Sequence, residues 1–196
     1  MEQELPLLVV ATRNAHKTGE IRAMLAGKWE VKDLSDYPQA PPVDETGVTF
    51  TENATLKALS ASKCIPGVLL ADDSGLEVDA LDKAPGIYSA RYMGEDTSYD
   101  IKNQTLLDRL EGVPDEKRTA RFVCAIAAAM PDGSCEGGRG TMEGYEPIGK
   151  DGFGYDPIFF LPECGCTSAE LSPEKKNELS HRGEGLRKIR KILEHK

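Results

Sequence analysis

The chain has 196 residues, of which 39% are hydrophobic and 29% charged, which is typical of a soluble globular protein with one domain, or one core with two lobes. Its formal net charge of −9 argues against a nonspecific nucleic-acid binder, because such a protein needs a basic face. No apolar stretch approaches the ~20 residues that span a bilayer, and residues 1–6 lack the basic and apolar regions of a signal peptide. The five cysteines form no CxxC pair, so we expect reduced thiols and a cytoplasmic protein.

The N-terminal segment is predicted to form a strand, a helix and a second strand. Residues 7–11 are a continuous apolar run, which is typical of a buried strand. Asn14 suits the N-cap of a helix that reaches about Ala26, with Ile21 on its buried face. Residues 30–34 are a plausible second strand.

A capping-box pattern at residues 49–52 predicts a helix that extends to about Lys63, after a proline-rich loop at residues 35–45. Residues 68–71 are apolar and predict a short buried strand that ends in a turn at residues 72–75.

The remaining elements also alternate between strands and helices. In chain order they are a segment at 76–81, a helix from Thr97 or Ser98 to about Leu110, a hairpin of 120–130 with 135–143, a strand at 159–162, a helix from Ser172-Pro173, and a last helix near 185–194. This alternation, with one hairpin, predicts an α/β fold with a mixed sheet.

Two adjacent carboxylates, Asp72 and Asp73, follow the predicted buried strand, and Ser74 and Gly75 come next. Acidic side chains at such a position require compensation for their lost hydration. Mg²⁺ can compensate, because it takes oxygen ligands and leaves coordination positions for substrate phosphates. The alternative is a solvated Asp-Ser-Gly turn of the kind that commonly ends a strand.

The segment between the first strand and the first helix is predicted to bind an anion. A helix N-terminus offers backbone N–H groups and the positive end of the helix dipole, and Lys17 adds a charge one turn into the helix. The candidate substrate-binding residues here are Thr12, Arg13, Asn14, Ala15, His16 and Lys17. The alternative is a capped helix with a surface lysine.

Oxygen-bearing side chains near the start of the second predicted helix could add to a cation site. Glu45, on the preceding loop, could supply a second carboxylate. Glu52 has a competing role as the capping-box partner of Thr49. Asn53 could bridge the metal carboxylates through water, or it could be an exposed helix residue.

Two segments of the C-terminal third could recognise a nucleoside. Residues 149–157 place aromatic residues between glycines, and this pattern suits either close contact with a base or a bulged connection in a sheet. Residues 180–183 are predicted to break the helix between two helical segments, with Lys176 before them. Lys176 and Arg182 could hold phosphate or base oxygens and His181 could donate to a carbonyl, although a histidine here could also be structural.

Seven segments, in this order, resemble the inosine triphosphate pyrophosphatase family, whose members hydrolyse non-standard purine nucleoside triphosphates to the monophosphate and pyrophosphate. These segments are 12–17, 45–54, 71–76, 85–92, 152–157, 169–171 and 180–182. The resemblance extends from about residue 7 to residue 190. One departure is Arg13, which stands where many relatives have a small residue.

The resemblance implies a single nucleoside-triphosphate pyrophosphatase domain over residues 1–196. Its α/β fold would have an elongated mixed β-sheet with flanking helices and two lobes around a central substrate cleft, and a homodimer is expected. Glu45 and Asp73 match metal ligands, and Asp73 also matches the general base. The matching substrate-binding residues are Thr12, Asn14, Lys17, Ser74, Phe153, Gly154, Tyr155, Asp156, Lys176, His181 and Arg182.

The expected reaction needs no nucleophilic side chain. With Mg²⁺ held by Glu45 and Asp73, a water oriented or deprotonated by Asp73 or Asp72 attacks the α-phosphorus. Donors from His181 or Arg182 would select a 6-keto purine, which predicts hydrolysis of ITP, dITP and XTP. The alternatives are a pyrophosphatase for pyrimidine or modified nucleotides and a noncatalytic nucleotide sensor.

Overall fold

A computed structural model describes residues 5–145 and 154–194. The strands are β1 (Leu7–Val10), β2 (Glu30–Asp33), β3 (Val68–Val78), β4 (Thr119–Ala129), β5 (Cys135–Tyr145), β6 (Phe160–Leu161) and β7 (Cys166–Thr167). The α-helices are α1 (Ala15–Leu25), α2 (Phe50–Ser62), α3 (Tyr99–Arg109), α4 (Pro173–Leu179) and α5 (His181–Leu193). Within these described ranges, no helix has the length and apolar character needed to cross a membrane.

The seven strands form one mixed sheet in the order β2-β1-β3-β4-β5-β6-β7, which confirms the predicted α/β class. β1 runs parallel to both β2 and β3, with Leu8 opposite Val31 on one side and Val68 on the other. β6 is antiparallel to β5 and to β7. β4 and β5 are neighbours joined by a tight turn in which Met130 N donates to Ser134 O (2.8 Å), so the predicted hairpin is confirmed.

The chain divides into two compact units, each with its own apolar core. The first comprises Met1–Asp73, Cys124–Gly140 and Arg182–Lys196, and the second comprises Ser74–Val123 and Thr141–His181. In the first core, strand residues pack against the apolar faces of α1 and α5, as the spacing of apolar residues predicted. The second core packs the later part of β3 against α3 and the Phe122–Phe159 ring pair. A two-lobed arrangement around a cleft stays a prediction.

The predicted end of a strand after Ala71 is wrong. β3 continues without interruption from Val68 to Val78 and carries both aspartates in its interior. Asp72 and Asp73 are both buried, and each has cationic partners on neighbouring elements. Because these partners replace the lost hydration, the strand has no need to end where the carboxylates begin.

The predicted helix break at residues 180–183 is present at Ser180 but does not extend through residues 181–183. Ser180 ends α4 with an extended backbone, and α5 begins at the next residue, so two glycines lie inside α5. One of them, Gly185, packs tightly against the sheet, because a Cβ there would lie 3.1 Å from Ile126 Cδ1. Glycine in this helix therefore permits close approach to the sheet rather than ending the helix.

Candidate active site

Asp72 lies at the centre of a buried ion cluster in the first unit. Its Oδ2 is 3.0 Å from Lys17 Nζ and 3.1 Å from Arg182 Nη2, and its side chain is only 1% exposed. Arg182 also pairs with Glu20. Burial alone would raise the pKa of Asp72, but Lys17 and Arg182 outweigh it and hold that pKa well below its usual range. Asp72 is therefore ionised, and it anchors two cations supplied by α1 and α5.

Asp73 belongs to a different cluster, because successive residues of a strand point to opposite faces of the sheet. Its Oδ2 accepts a hydrogen bond from Asn53 Nδ2 (3.2 Å), and its Oδ1 lies 3.4 Å from Lys57 Nζ. The same ammonium is 3.0 Å from Glu45 Oε1. Burial raises the pKa of Asp73, with Glu45 adding to the effect against the opposing influence of Lys57 and Asn53. The arrangement therefore favours Asp73, rather than Asp72, as a proton acceptor.

Asn53 is fully buried, so its interpretation as an exposed helix residue is wrong. Its Oδ1 accepts a hydrogen bond from Gly47 N (2.8 Å), while its Nδ2 donates to Asp73. A Cβ at Gly47 would lie 2.7 Å from Asn53 Oδ1, so this close approach requires glycine. Asn53 thus fixes the loop that carries Glu45 in relation to Asp73.

The competing role predicted for Glu52 is confirmed in a modified form. Thr49 Oγ1 accepts from Glu52 N (3.1 Å), which is the expected N-cap of α2. The Glu52 carboxylate accepts from Val48 N (2.7 Å) at the same helix start. This carboxylate therefore stabilises the helix N-terminus.

Lys57 is the site residue that sequence reasoning missed. It lies one helical turn after Asn53 and therefore on the same face of α2, and that spacing was the available signal. Burial would lower its pKa, but Asp73, Asp72 and Glu45 together raise that pKa above its ordinary value. Lys57 stays charged and neutralises the two carboxylates that it joins.

The donor set at Glu45 and Asp73 fits Mg²⁺. Mg²⁺ is commonly held by one or two carboxylates, with water and substrate phosphates completing its octahedral coordination. Both carboxylates already converge on one positive charge, the Lys57 ammonium. Over residues 5–145 and 154–194, no group of three His, Cys, Asp or Glu side chains is arranged to hold a metal ion, so Glu45 and Asp73 would leave the other positions of a cation to water and substrate phosphates.

The N-terminus of α1 is built as predicted. Asn14 Oδ1 accepts from His16 N (3.0 Å) and Lys17 N (3.3 Å), and Thr12 Oγ1 accepts from Asn14 N (3.1 Å). Lys17 then extends to Asp72. A positive helix end and a lysine thus lie beside the acidic part of β3.

Other residues of this predicted anion-binding segment have differing environments. Arg13 Nη2 donates to the Ala40 carbonyl (2.9 Å), so its guanidinium ties down the proline-rich loop. Ala15 and His16 are exposed on the first turn of α1. Ser74 is half-buried in β3, where the second unit begins.

Five of the predicted nucleoside-binding residues lie in the described part of the second unit, whereas Phe153 falls outside the described residues. Asp156 Oδ2 is 2.6 Å from Lys176 Nζ, and Asp156 Oδ1 accepts from Ser168 Oγ (3.0 Å). Asp156 is buried, and it holds the lysine in place.

The side chains of Tyr155 and His181 are buried rather than exposed at the surface. The Tyr155 hydroxyl donates to Ser89 O (2.7 Å), and its ring meets that of Tyr99 edge-on at 5.2 Å. His181 stacks on Phe122 at 5.0 Å with nearly parallel rings. Both rings are therefore held rigidly, and a base-stacking surface in this segment would have to come from another residue.

The predicted residues thus assemble into two groups. In the first unit the structure brings together Thr12, Asn14, Lys17, Glu45, Asp72, Asp73 and Arg182. In the second unit it brings together Tyr155, Asp156 and Lys176. Arg182, expected to contact substrate directly, is occupied by Asp72 and Glu20.

Comparison with known proteins decides the family. The model of the Ham1 family matches residues 8–192, which is nearly the whole chain. The chain belongs to the Ham1 family. Its relatives include the dITP/XTP pyrophosphatase of Exiguobacterium sibiricum, which is 50% identical over 95% of this chain and 96% of the relative. The dITP/XTP pyrophosphatase of Geobacillus kaustophilus is 52% identical over 93% of this chain and 91% of the relative.

Solved structures of Ham1 proteins share this fold. The Ham1 protein of Staphylococcus aureus superimposes with a TM-score of 0.85 at 39% identity, covering 96% of this chain and 98% of that protein. A HAM1 protein from Coxiella burnetii gives a TM-score of 0.87 at 37% identity, covering 98% of this chain and all of that protein. The resemblance inferred from the seven sequence segments is therefore confirmed.

Proposed function

We propose that this Ham1 protein is a nucleoside-triphosphate pyrophosphatase that hydrolyses the non-standard purine nucleotides ITP, dITP and XTP to the monophosphate and pyrophosphate. The observation that carries the proposal is the convergence of the Glu45 and Asp73 carboxylates on the Lys57 ammonium. The names of the relatives, dITP/XTP pyrophosphatases, support the substrate class.

Glu45 and Asp73 would hold Mg²⁺, which when bound neutralises charge on the departing pyrophosphate. Asp73 has a raised pKa, which suits the acceptance of a proton from the attacking water. Lys57 adds a fixed positive charge beside these carboxylates, and it needs no rearrangement as negative charge develops. Asn53 orients the Asp73 carboxylate through its side-chain amide.

The phosphates would be positioned by the N-terminus of α1, where Thr12 and Asn14 organise the first turn. Lys17 is held by Asp72, and Asp72 is held in turn by Arg182. We therefore assign Asp72 and Arg182 to the positioning of Lys17, while Asp73 acts on the water.

The nucleoside would be bound by the segment 154–156 with Lys176 and His181. Lys176 and His181 can donate to the 6-keto oxygen that hypoxanthine and xanthine share, whereas adenine presents a donor there. A site built on such hydrogen bonds discriminates strongly, because the wrong base leaves them unmade.

Several wider features belong to the same proposal. We propose that both units act as one pyrophosphatase domain, that the protein is a cytoplasmic homodimer, and that Mg²⁺ is its metal. The five cysteines are all free, which fits a reducing compartment. The acidic net charge fits a nucleotide substrate bound at a local cation site rather than a nucleic-acid partner.

The decisive experiment measures pyrophosphate release from ITP, XTP, ATP, GTP and dTTP, with Mg²⁺ and with EDTA. Metal-dependent release from ITP and XTP, with little release from ATP, is the expected result. Release from dTTP alone would indicate a pyrimidine pyrophosphatase. Tight nucleotide binding without release would indicate a sensor, and either outcome would overturn the proposal.

A further inference from the structure

A buried amide on α3 contacts the segment that the proposed function assigns to the nucleoside. The Asn103 side chain donates from Nδ2 to Gly154 O at 3.1 Å, across 51 residues of sequence. Asn103 is 8% exposed, although asparagine is a residue type that mostly lies at the surface. Gly154 has a φ of +64°, so its carbonyl belongs to a left-handed turn that this hydrogen bond can hold in one orientation.

Two further residues of α3 hold the same region. The Tyr99 ring lies edge-on to Tyr155, and it lies so close to Gly154 that a Cβ there would be 3.7 Å from Tyr99 Cε1. Lys102 is 1% exposed, and its ammonium lies 4.9 Å from the centre of the Tyr99 ring. The same ammonium donates to Ala90 O at 2.6 Å.

These contacts form one network in the second unit, which joins α3, segment 154–155 and residues 89–90. The Tyr155 hydroxyl donates to Ser89 O, and Ser89 is the neighbour of the Ala90 that Lys102 holds. Ser89 Oγ in turn accepts a hydrogen bond from Leu76 N (2.9 Å), which connects this network to β3. α3 therefore fixes segment 154–155 both directly and through residues 89–90.

This network also affects the ion pair between Asp156 and Lys176. Asp156 comes directly after Tyr155 and holds Lys176 at 2.6 Å. A change in the orientation of the Gly154 carbonyl rotates the peptide that leads into Tyr155, and Asp156 is the next residue. Asn103 is thus placed to control both the backbone and the lysine of the nucleoside-binding group.

We propose that Asn103 is a positioning residue for the nucleoside, acting through the Gly154 carbonyl rather than through contact with substrate. This inference rests on the proposed function, since it concerns the segment assigned to the nucleoside. A residue that only aligns a binding segment contributes equally to the ground state and the transition state, so its loss raises KM and leaves kcat nearly unchanged.

The test compares N103A and N103L, which keeps a similar side-chain size but lacks the donor, with Q104A as a matched control. Gln104 is the next residue of α3 and is exposed, and its side chain donates to Asp108 Oδ1 on the same helix (2.7 Å). One lost hydrogen bond predicts a rise in KM for ITP of about 3- to 10-fold in N103A and N103L, with kcat within about twofold. Inhibition by pyrophosphate should be unchanged, because the phosphate-binding residues belong to the first unit.

Hydrogen exchange of the peptide covering residues 154–161 supplies a readout that does not depend on turnover. IMP should slow its exchange in the wild type and in Q104A, whereas in N103A and N103L the exchange should be faster and the protection by IMP weaker. Thermal unfolding of each variant shows whether it is folded. If N103A is unfolded, N103L, which leaves no cavity, supplies the comparison.

Three results would overturn the inference. The first is that both Asn103 variants have the same KM and the same exchange rate as Q104A. The others are a lowered kcat with an unchanged KM, and no protection of residues 154–161 by IMP in the wild type. Failure of the proposed function gives a different pattern, namely no pyrophosphate release from ITP or XTP by the wild type. In that case the exchange measurements with IMP still decide whether Asn103 positions this segment.

Discussion

At the scale of single residues, two neighbouring aspartates have opposite pKa shifts because their partners differ. Asp72 faces both Lys17 and Arg182, which lower its pKa despite complete burial. Asp73 shares one ammonium with Glu45, and its pKa is raised. In the sequence the two carboxylates are equivalent. In the folded protein they have different partners and therefore different roles.

This difference predicts opposite effects of two isosteric substitutions. D73N removes a metal ligand and the proton acceptor, so turnover should fall by about 10²- to 10⁴-fold. Its thermal midpoint should stay level or rise, because the folded state disfavours the charged form of Asp73. D72N should lower the midpoint, because it leaves Lys17 and Arg182 without their shared carboxylate. Pyrophosphate release and thermal unfolding measure both effects.

An exposed carboxylate provides the control for this pair. D96N alters a loop residue with no ion pair in the described chain, and both turnover and midpoint should match the wild type. Turnover of D73N near the wild-type level would exclude Asp73 as the base. A D72N midpoint equal to that of D96N would contradict the anchoring role of Asp72.

Lys57 gives a second prediction at this scale. K57M keeps much of the side-chain volume but removes the charge between Glu45 and Asp73, so kcat/KM should fall by about 10²-fold. K57R keeps the charge and should retain a larger share of activity, although its geometry differs. Steady-state kinetics on ITP decide this, and equal losses in both variants would show that charge is not what Lys57 contributes.

At the scale of elements, glycines mark where strands and helices approach closely. Gly144 lies in β5, and a Cβ there would be 2.5 Å from the carbonyl oxygen of Phe160 and 2.7 Å from the Phe159 ring. β5 and β6 are paired at this point, so the backbone of Phe160 cannot move away without disturbing the sheet. Gly19 in α1, by contrast, has open space around the position of a Cβ.

These environments predict stability changes of opposite sign. G144A should lower the free energy of unfolding by about 1–3 kcal/mol or more, as overpacking does. G19A should raise it by about 0.5–1 kcal/mol, because alanine favours the helix over glycine. Urea denaturation of both variants against the wild type tests this. A stabilising G144A would mean that the sheet adjusts at this point.

At the scale of the whole molecule, each unit contains a carboxylate with a strongly lowered pKa. Asp72 has this role in the first unit. In the second unit, burial would raise the pKa of Asp79, but hydrogen bonds from Lys83, Thr119 and Arg121 hold it well below the usual range. A carboxylate whose pKa is lower in the folded state stabilises that state above its unfolded pKa of about 3.9, and the stabilisation is lost as the pH falls.

Acid unfolding should therefore depend on Asp79. The free energy of unfolding of the wild type should fall as the pH drops below about 4, and D79N should have a lower value at neutral pH and a flatter dependence between about pH 4 and pH 2. Urea denaturation at several pH values measures this, with D96N again as the control. Parallel curves for the wild type and D79N would show that the Asp79 cluster does not contribute.

Local patterns account for the features that sequence reasoning found. Asn14 and Thr49 cap α1 and α2. These caps are predictable because each one joins a side-chain oxygen to a backbone N–H only two or three residues later in the chain. The apolar faces of α1 and α5 follow from spacing alone. The order of the seven motif segments was enough to indicate the family, which the comparisons confirm.

Other features depended on residues far apart in the chain. The sequence could not show that Arg182, 110 residues away, compensates the burial of Asp72 and lets β3 continue through it. Nor could it show that Lys57 joins Glu45 to Asp73, or that Gly185 lies inside a helix against the sheet. The sequence by itself thus determined the helices, their caps and the family, because these depend on neighbouring residues. Only the tertiary structure decided which charges are neutralised, because the energy of a buried charge depends on partners that folding brings to it.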